Sequence, residues 1–390
     1  MGSMMRTYLD WNATAPLLPA VRDAFVAALD LSGNPSSVHK EGRAVRAAIE
    51  SARRDVAALV GAQASHVIFT SGATEAANLV LSPAYKMGRS SLFSIGHLYV
   101  SAIEHPAIRE GGRFDKADVS EIAVTADGVL DLAALEAALA SRDSAKGLPM
   151  VALMLVNNET GIVQPVTEAT RLVHAAGGLL VVDAVQAVGR IAVDIEALGA
   201  DFLIVSSHKI GGPKGTGALI SRGEVMMPKP LIHGGGQEKG HRSGTENTSA
   251  IIGFGAAAVE ALKNLDAEAV RLNGLRATLE DAMRLAAPDV IIHGADAARV
   301  CNTTFFTLPG LKSETGQIAF DIEGIALSAG AACSSGKVGE SHVLTAMGHD
   351  PKLGALRISL GAATTEVDID KAIAAFAKIA GRRKLAVQAA

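Results

Sequence analysis

Two cysteines in 390 residues are too few for a disulfide framework. They fit a reducing cytoplasm, where a free thiol can do chemistry. Aromatic residues are scarce as well, at 4%. An Ala-rich chain punctuated by glycine suits an α/β enzyme better than an all-β sandwich. Neither sign of charge dominates: 36 Lys and Arg stand against 40 Asp and Glu, for a net charge of −4. No basic face therefore announces nucleic acid. No apolar run approaches the ~20 residues that span a bilayer, and Asp10 and Asn12 interrupt any signal-like run near the start. Internal repeats and low-complexity linkers are absent too. Met1-Gly2-Ser3-Met4-Met5 reads as a foreign leader ahead of a native Met and is set aside. What is present is ample core material, 49% hydrophobic with 40 glycines. The length suggests about two or three domains.

Short apolar runs alternate with helical patterns. Val67 to Thr70 stops at Ser71-Gly72, and a helical pattern opens at Thr74-Glu75. Met150 to Val156 ends at Asn157-Asn158, Leu179 to Val182 ends at Asp183, and Asp201 to Val205 ends at Ser206-Ser207. Short buried strands separated by helices predict a largely parallel sheet covered on both faces. Ligands bind such sheets beyond the carboxyl ends of the strands, where these polar residues fall. From about Gly253 the texture changes. One long helical pattern runs from Gly255 towards Ala287, strand candidates cover Asn302 to Leu308 and Leu356 to Leu360, and a last helix covers about Glu366 to Gly381. This predicts a smaller α+β domain.

The chemistry starts from Ser206-Ser207-His208-Lys209-Ile210-Gly211-Gly212-Pro213. A strand-end lysine is usually a surface residue. A desolvated lysine amine is instead a nucleophile that forms a Schiff base with a carbonyl. A carbonyl cofactor such as pyridoxal phosphate needs a phosphate cup, an acid at its pyridine nitrogen and a ring clamp. Ser71-Gly72-Ala73-Thr74-Glu75 offers a helix N-terminus with free N–H groups for an anion, or an ordinary N-cap. Asp183 ends a strand too apolar to leave a carboxylate alone. It fits a pyridinium partner, which makes the ring an electron sink, or a cap of the next helix. Gln186 and Asn158 can each reach the phenolic oxygen. His105, in Glu104-His105-Pro106, can stack on the ring and move protons.

In this order and spacing the residues resemble the cysteine desulfurases, in the class V aminotransferase group. The resemblance also takes in Tyr8-Leu9-Asp10 with Asn12-Ala13-Thr14, Gly33-Asn34-Pro35, Asn157-Asn158-Glu159, Gly234-Gly235-Gly236, Arg242-Ser243-Gly244-Thr245 and Leu356-Arg357-Ile358. It implies a fold-type I pyridoxal-phosphate transferase. A large doubly wound, mostly parallel seven-stranded sheet domain is expected over 17–253. A smaller α+β domain is expected from 1–16 and 254–390. The resemblance further implies that Lys209 carries pyridoxal 5'-phosphate as a Schiff base, that His105 stacks on the ring, that Asp183 pairs with its nitrogen and that Gln186 contacts its phenolic oxygen. Ala73, Thr74, Ser206 and His208 form the phosphate site, and Thr245 reaches the phosphate of a partner subunit in a homodimer. Asn34, Asn158 and Arg357 hold the substrate, with Arg357 as a bidentate fork on its carboxylate.

Cys333 lies in a stretch, Ser328 to Gly336, made only of small residues. A cysteine is out of place there as packing material, and a thiolate on such a loop (about 328–340) can meet substrate and then an acceptor. The implied activity takes sulfur from L-cysteine, leaves L-alanine, and passes a Cys333 persulfide to an acceptor such as an iron–sulfur scaffold. Cys301, by contrast, reads as a packing residue. The chain resembles the long-loop subgroup more than the short-loop one. Trp11 departs from the family pattern, which is commonly polar there, and is expected near the cleft. The nearest rival is a selenocysteine lyase or another class V enzyme. Gly253-Phe254-Gly255-Ala256-Ala257-Ala258 formally matches a dinucleotide fingerprint, but no strand precedes it and Asn273 stands where an acid is required. No metal site and no membrane partner are expected.

Overall fold

The structure is a computed structural model that describes residues 6–88, 91–330 and 340–388. In chain order the first strands are β1 (Thr7–Tyr8), β2 (Val67–Thr70), β3 (Ala84–Met87), β4 (Ser91–Ser101) and β5 (Val119–Ile122). They are followed by β6 (Leu148–Met154), β7 (Leu179–Asp183), β8 (Phe202–Ser206), β9 (Gly217–Ser221) and β10 (Met226–Pro228). The C-terminal part adds β11 (Ile291–Ile292), β12 (Thr303–Thr307), β13 (Ile325–Ala326), β14 (Ser328–Ala329) and β15 (Leu356–Ser359).

Seven strands form the predicted sheet in the order β2-β9-β8-β7-β6-β4-β5. The pairs from β8 through β7, β6 and β4 to β5 are parallel, and β9 is antiparallel to both its neighbours. Six strands thus run one way and β9 runs against them. The sequence reading did not include β3 and β10, which extend the sheet along the first half of β4 to nine strands. Their segments are short and half exposed, so they carry no buried apolar run to read.

Alternation along the strands explains the two layers. Val151, Leu153, Leu180 and Val182 face one core, while Met150, Ala152, Leu179 and Val181 face another on the opposite side. A third core joins β12 and β15 to the helices Leu265–Ala286 and Glu366–Gln388. The single helix expected from Gly255 towards Ala287 is two, Thr248–Lys263 and Leu265–Ala286, parted at Asn264 with φ −124° and ψ 16°. Phe254, Ala257 and Ala258 still belong to the large core, and Leu272 is the first residue of this stretch in the small one. Packing therefore changes hands at Asn264, later than the texture change at Gly253, because the glycines at 253 and 255 serve close packing. An added Cβ on Gly255 meets Ala52, and one on Gly253 meets Pro213.

A buried ion pair ties the segment around residue 238 to the sheet. Arg53 Nη1 and Nη2 donate to Glu238 Oε2 and Oε1 at 2.7 and 2.8 Å, and Phe69 N donates to the same carboxylate at 2.9 Å. Removing one partner leaves the other buried and uncompensated. Glu238→Gln is expected to destabilise the cofactor-free protein by about 3–5 kcal/mol, read as an earlier midpoint in chemical unfolding. An unchanged midpoint would mean that water screens the pair. Among the described residues no helix is long and apolar enough to cross a membrane.

Candidate active site

The carboxyl ends of the parallel strands open into a cavity of about 600 Å³. Its lining includes Ala73 and Thr74 after β2, His105 after β4, Asn158 after β6, Asp183 and Gln186 at the end of β7, and Ser206, His208 and Lys209 at the end of β8. Arg357 enters from β15 of the smaller unit. The strand order alone brings these segments together, because each parallel crossover returns the chain to the same edge.

Lys209 sits in a short 3-10 turn that follows β8 directly. Its Nζ donates to the carbonyls of Asn12 and Ala13 at 2.7 and 2.8 Å. Asp183 accepts from Val185 N at 2.9 Å within a turn, and no helix begins there for it to cap. Burial nevertheless raises the Asp183 carboxyl to about 6, against the pull of the Val185 N–H and of Lys209. A buried carboxylate in that position gains from a cationic partner.

His105 accepts from Ala107 N at Nδ1, at 3.1 Å, which places the neutral-ring proton on Nε2. Burial, with the nearby charges of Lys209 and His342, holds its pKa down to about 4. The sign follows: below about 4 the ring is charged, and above it the ring is neutral. Nitrogen NMR of the cofactor-free protein should find His105 as the Nε2–H tautomer throughout pH 5–8. A titration near 6.5 would contradict this environment. Glu104 beside it is fully buried, and burial pushes its carboxyl well above the usual range. His208 is held down to about 4 by burial and by Lys209 and Lys214, and its Nδ1 lies 3.2 Å from Thr14 Oγ1.

The helix Ala73–Val80 begins without a side-chain cap. Its first N–H groups are therefore available to an anion. Glu75 instead accepts from Ser71 N at 2.8 Å and pairs with Arg242 at 2.9 Å. This joins the turn to the segment that carries Thr245. The sequence reading did not single out Glu75, Thr14, Thr216 or Asp10. Arg357 is buried, and its Nη2 donates to Asp10 Oδ1 at 2.8 Å and Ser328 Oγ at 3.2 Å, its Nη1 to Asn158 O at 2.8 Å. Its Nε has no acceptor. The expected open fork is therefore partly engaged. Asp10 could have been suspected from sequence only by asking which acid neutralises a buried arginine, and that pairing spans the length of the chain.

Other expected residues lie elsewhere. Asn34 is exposed, accepts from Ser36 N at 2.8 Å, and does not line the cavity. Thr245 is exposed and also outside the lining. Cys333 falls outside the described residues. Cys301 is buried, and burial raises its thiol pKa, as suits a packing residue. Trp11 does not itself line the main cavity, although its neighbour Asn12 does. It is buried, donates from Nε1 to Tyr8 O at 3.2 Å, and packs over Gly361, where any added Cβ would strike the ring. It lines a second cavity of about 210 Å³ instead. The missing side chain at Gly361 is what makes room for an indole there. Among the described residues no cluster is suited to a metal ion.

The aminotransferase class-V family model matches residues 7–372. The chain belongs to the class-V aminotransferase family. Within it, the chain is similar to several cysteine desulfurases. An "IscS-like cysteine desulfurase" of Mycobacterium tuberculosis is 36% identical over 390 residues, 98% of each chain. A "cysteine desulfurase" of Cereibacter sphaeroides is 41% identical over 376 residues, 94% of each. The structure of a NifS-like protein from Rickettsia africae superposes with a TM-score of 0.86 at 35% identity, covering 96% of this chain and 99% of that one. Enzymes of this family depend on pyridoxal phosphate. The residues present fit that group. Among the described residues Gln186 Oε1 and Thr216 Oγ1 are buried in the cavity wall without a hydrogen-bond partner, in the same lining as Lys209 and Asp183.

Proposed function

We propose that this chain is a cysteine desulfurase whose cofactor is held on Lys209 and whose sulfur-accepting thiol is Cys333. The observation that carries the reading is the convergence of Lys209, Asp183 and Arg357 on one cavity at the ends of parallel strands. Ala73, Thr74, Ser206 and His208 would hold the phosphate, His105 the ring face, Asp183 the pyridine nitrogen, and Gln186 and Asn158 the phenolic side. Once bound, pyridoxal phosphate supplies an electron sink for the carbon that loses its proton.

The protein groups divide the remaining work. Arg357 grips the carboxylate of L-cysteine through a buried, charge-assisted contact, with Asn158 as a further substrate contact. Asp183 keeps a proton on the pyridine nitrogen. Lys209 removes the α-proton, and neutral His105 relays protons to and from the substrate. The Cys333 thiolate attacks the substrate sulfur and the C–S bond breaks. The sulfur stays on Cys333 as a persulfide, and the three-carbon fragment takes a proton and leaves as L-alanine. A homodimer in which Thr245 completes the partner's phosphate site accounts for the exposure of that threonine. The reaction suits a cytoplasmic enzyme that hands sulfur to an acceptor such as an iron–sulfur scaffold.

The test is an absorbance spectrum of the protein with pyridoxal phosphate, followed by sulfide and alanine assays. With a thiol reductant present to release the persulfide sulfur, L-cysteine should yield sulfide and alanine in equal amounts, and alanine faster than selenocysteine yields it. A clear preference for selenocysteine, or an amino-group transfer without sulfide, would sink the reading.

A further inference from the structure

Asn12 is buried in the wall of the main cavity, and every polar atom it has is engaged. Its side-chain oxygen accepts from Arg190 Nη2 at 3.2 Å and from Asn302 Nδ2 at 3.1 Å. Its side-chain nitrogen donates to Thr303 Oγ1 at 2.9 Å, and its backbone N–H donates to Ser359 Oγ at 3.0 Å. Asn302 is itself tied to the carbonyl of Leu360 at 3.0 Å, and Thr303 donates to Asn302 Oδ1 at 3.0 Å. The clamp thus draws on Arg190, which follows β7 in the large unit, and on β12 and β15 in the small one. What the clamp presents to the site is the Asn12 carbonyl. That oxygen accepts from Lys209 Nζ at 2.7 Å and from Gln186 Nε2 at 3.0 Å. Arg190 Nη1 also donates to Gln186 O at 3.1 Å, closing the ring of contacts.

We propose that Asn12 is a positioning residue for Lys209: its side chain, clamped between the two units, fixes its own carbonyl as the acceptor that docks the lysine amine. An asparagine suits the place because it offers both an acceptor for two donors and a donor for Thr303. A hydrogen bond to the charged form of an amine favours that form. The Asn12 and Ala13 carbonyls, as acceptors on Nζ, therefore favour the charged form of the free amine over the neutral one. Gln186 is oriented by the same oxygen, since its amide nitrogen is taken and its Oε1 is left for a ligand. The inference deepens the proposed function and rests on Lys209 being the Schiff-base lysine.

The experiment follows the pH dependence of Schiff-base formation between the cofactor-free protein and added pyridoxal phosphate, read by absorbance. Asn12→Ala frees the carbonyl from its clamp and weakens its hold on the ammonium. The midpoint for formation should move to lower pH by about 0.5 unit or more, and cofactor affinity should fall. Asn12→Asp keeps an oxygen for Arg190 and Asn302 and should show no acid shift. A profile for folded Asn12→Ala within about 0.2 unit of the parent, or the same acid shift in both variants, would overturn the proposal. If Asn12→Ala does not fold, Asn302→Ala removes one clamp donor without changing charge and carries the same expectation and the same overturning result. Lys209→Ala separates the two layers of the argument. A Schiff-base band that survives in it would remove the lysine assignment itself, whatever Asn12 does.

Discussion

Lys209→Ala is expected to abolish the Schiff-base absorbance and to lower cysteine turnover by at least about 10³-fold. The amine serves twice in the proposed reaction, as the group that carries the cofactor and as the base at the substrate α-carbon. General-base catalysis alone is worth roughly 10²–10⁴. The structure adds a reason to expect no substitute at that position. Lys209 Nζ is held between two carbonyls at 2.7 and 2.8 Å on the cavity wall, at the end of a buried strand. Lys214 lines the same cavity and is the natural rival. A reducible band that persists in Lys209→Ala and disappears in Lys214→Ala would transfer the assignment. Lys209→Arg provides the electrostatic control. It keeps a cation near Asp183 but offers no neutral amine, because guanidinium stays charged. It should therefore bind the cofactor without forming the band.

Cys333→Ala should separate cofactor chemistry from sulfur chemistry. The absorbance band should be unchanged, because no residue of the cofactor pocket is altered. Sulfide and alanine production from cysteine should fall to background, since the C–S bond breaks only when a thiolate accepts the sulfur. Cys333 itself lies outside the described residues, but both flanks of its segment are seated near the site. Ser328 donates to Asp10 at 2.8 Å beside Arg357, and Ser341 donates to Glu159, directly after the cavity residue Asn158, at 2.6 Å. Full turnover in Cys333→Ala would require another thiol. Among the described residues the free cysteine is Cys301, whose burial and raised pKa make it a poor nucleophile. In that event a persulfide mapped by mass spectrometry would identify the true acceptor.

The Asp10–Arg357 contact bears on substrate recognition. In the proposed reaction, a substrate carboxylate arriving at Arg357 would meet a guanidinium already shared with one acid at 2.8 Å. Burying that arginine without Asp10 would leave an uncompensated charge. The acid therefore supports the guanidinium in the absence of substrate, while the unpartnered Nε shows that its donors are not all satisfied. The same arrangement explains why Ser328 is small and polar. It lies opposite Arg357 in the β14–β15 pairing and bonds both partners of the ion pair.

The sequence by itself marked the buried strands β2, β6, β7, β8, β12 and β15, and the polar ends of the first four. Runs such as Leu179 to Val182 are buried on both faces, so apolar continuity marks them, and the first polar residue after each marks the site edge. The cofactor chemistry came from the order and spacing of the motifs taken together, which resemble the cysteine desulfurases, because a strand-end lysine, an acid or a glycine turn taken singly also has an ordinary structural use. Local pattern could not show which way neighbouring residues of an irregular segment turn, Asn12 towards Lys209 and Trp11 towards Gly361. Only the tertiary structure decided the contacts that join distant segments. Asp10 on Arg357, Asn12 under Lys209 and Glu238 on Arg53 each link residues more than 180 positions apart. No periodicity records such pairs, since what selects them is the cost of leaving a buried charge or donor without a partner, and that cost arises only once distant segments have packed together.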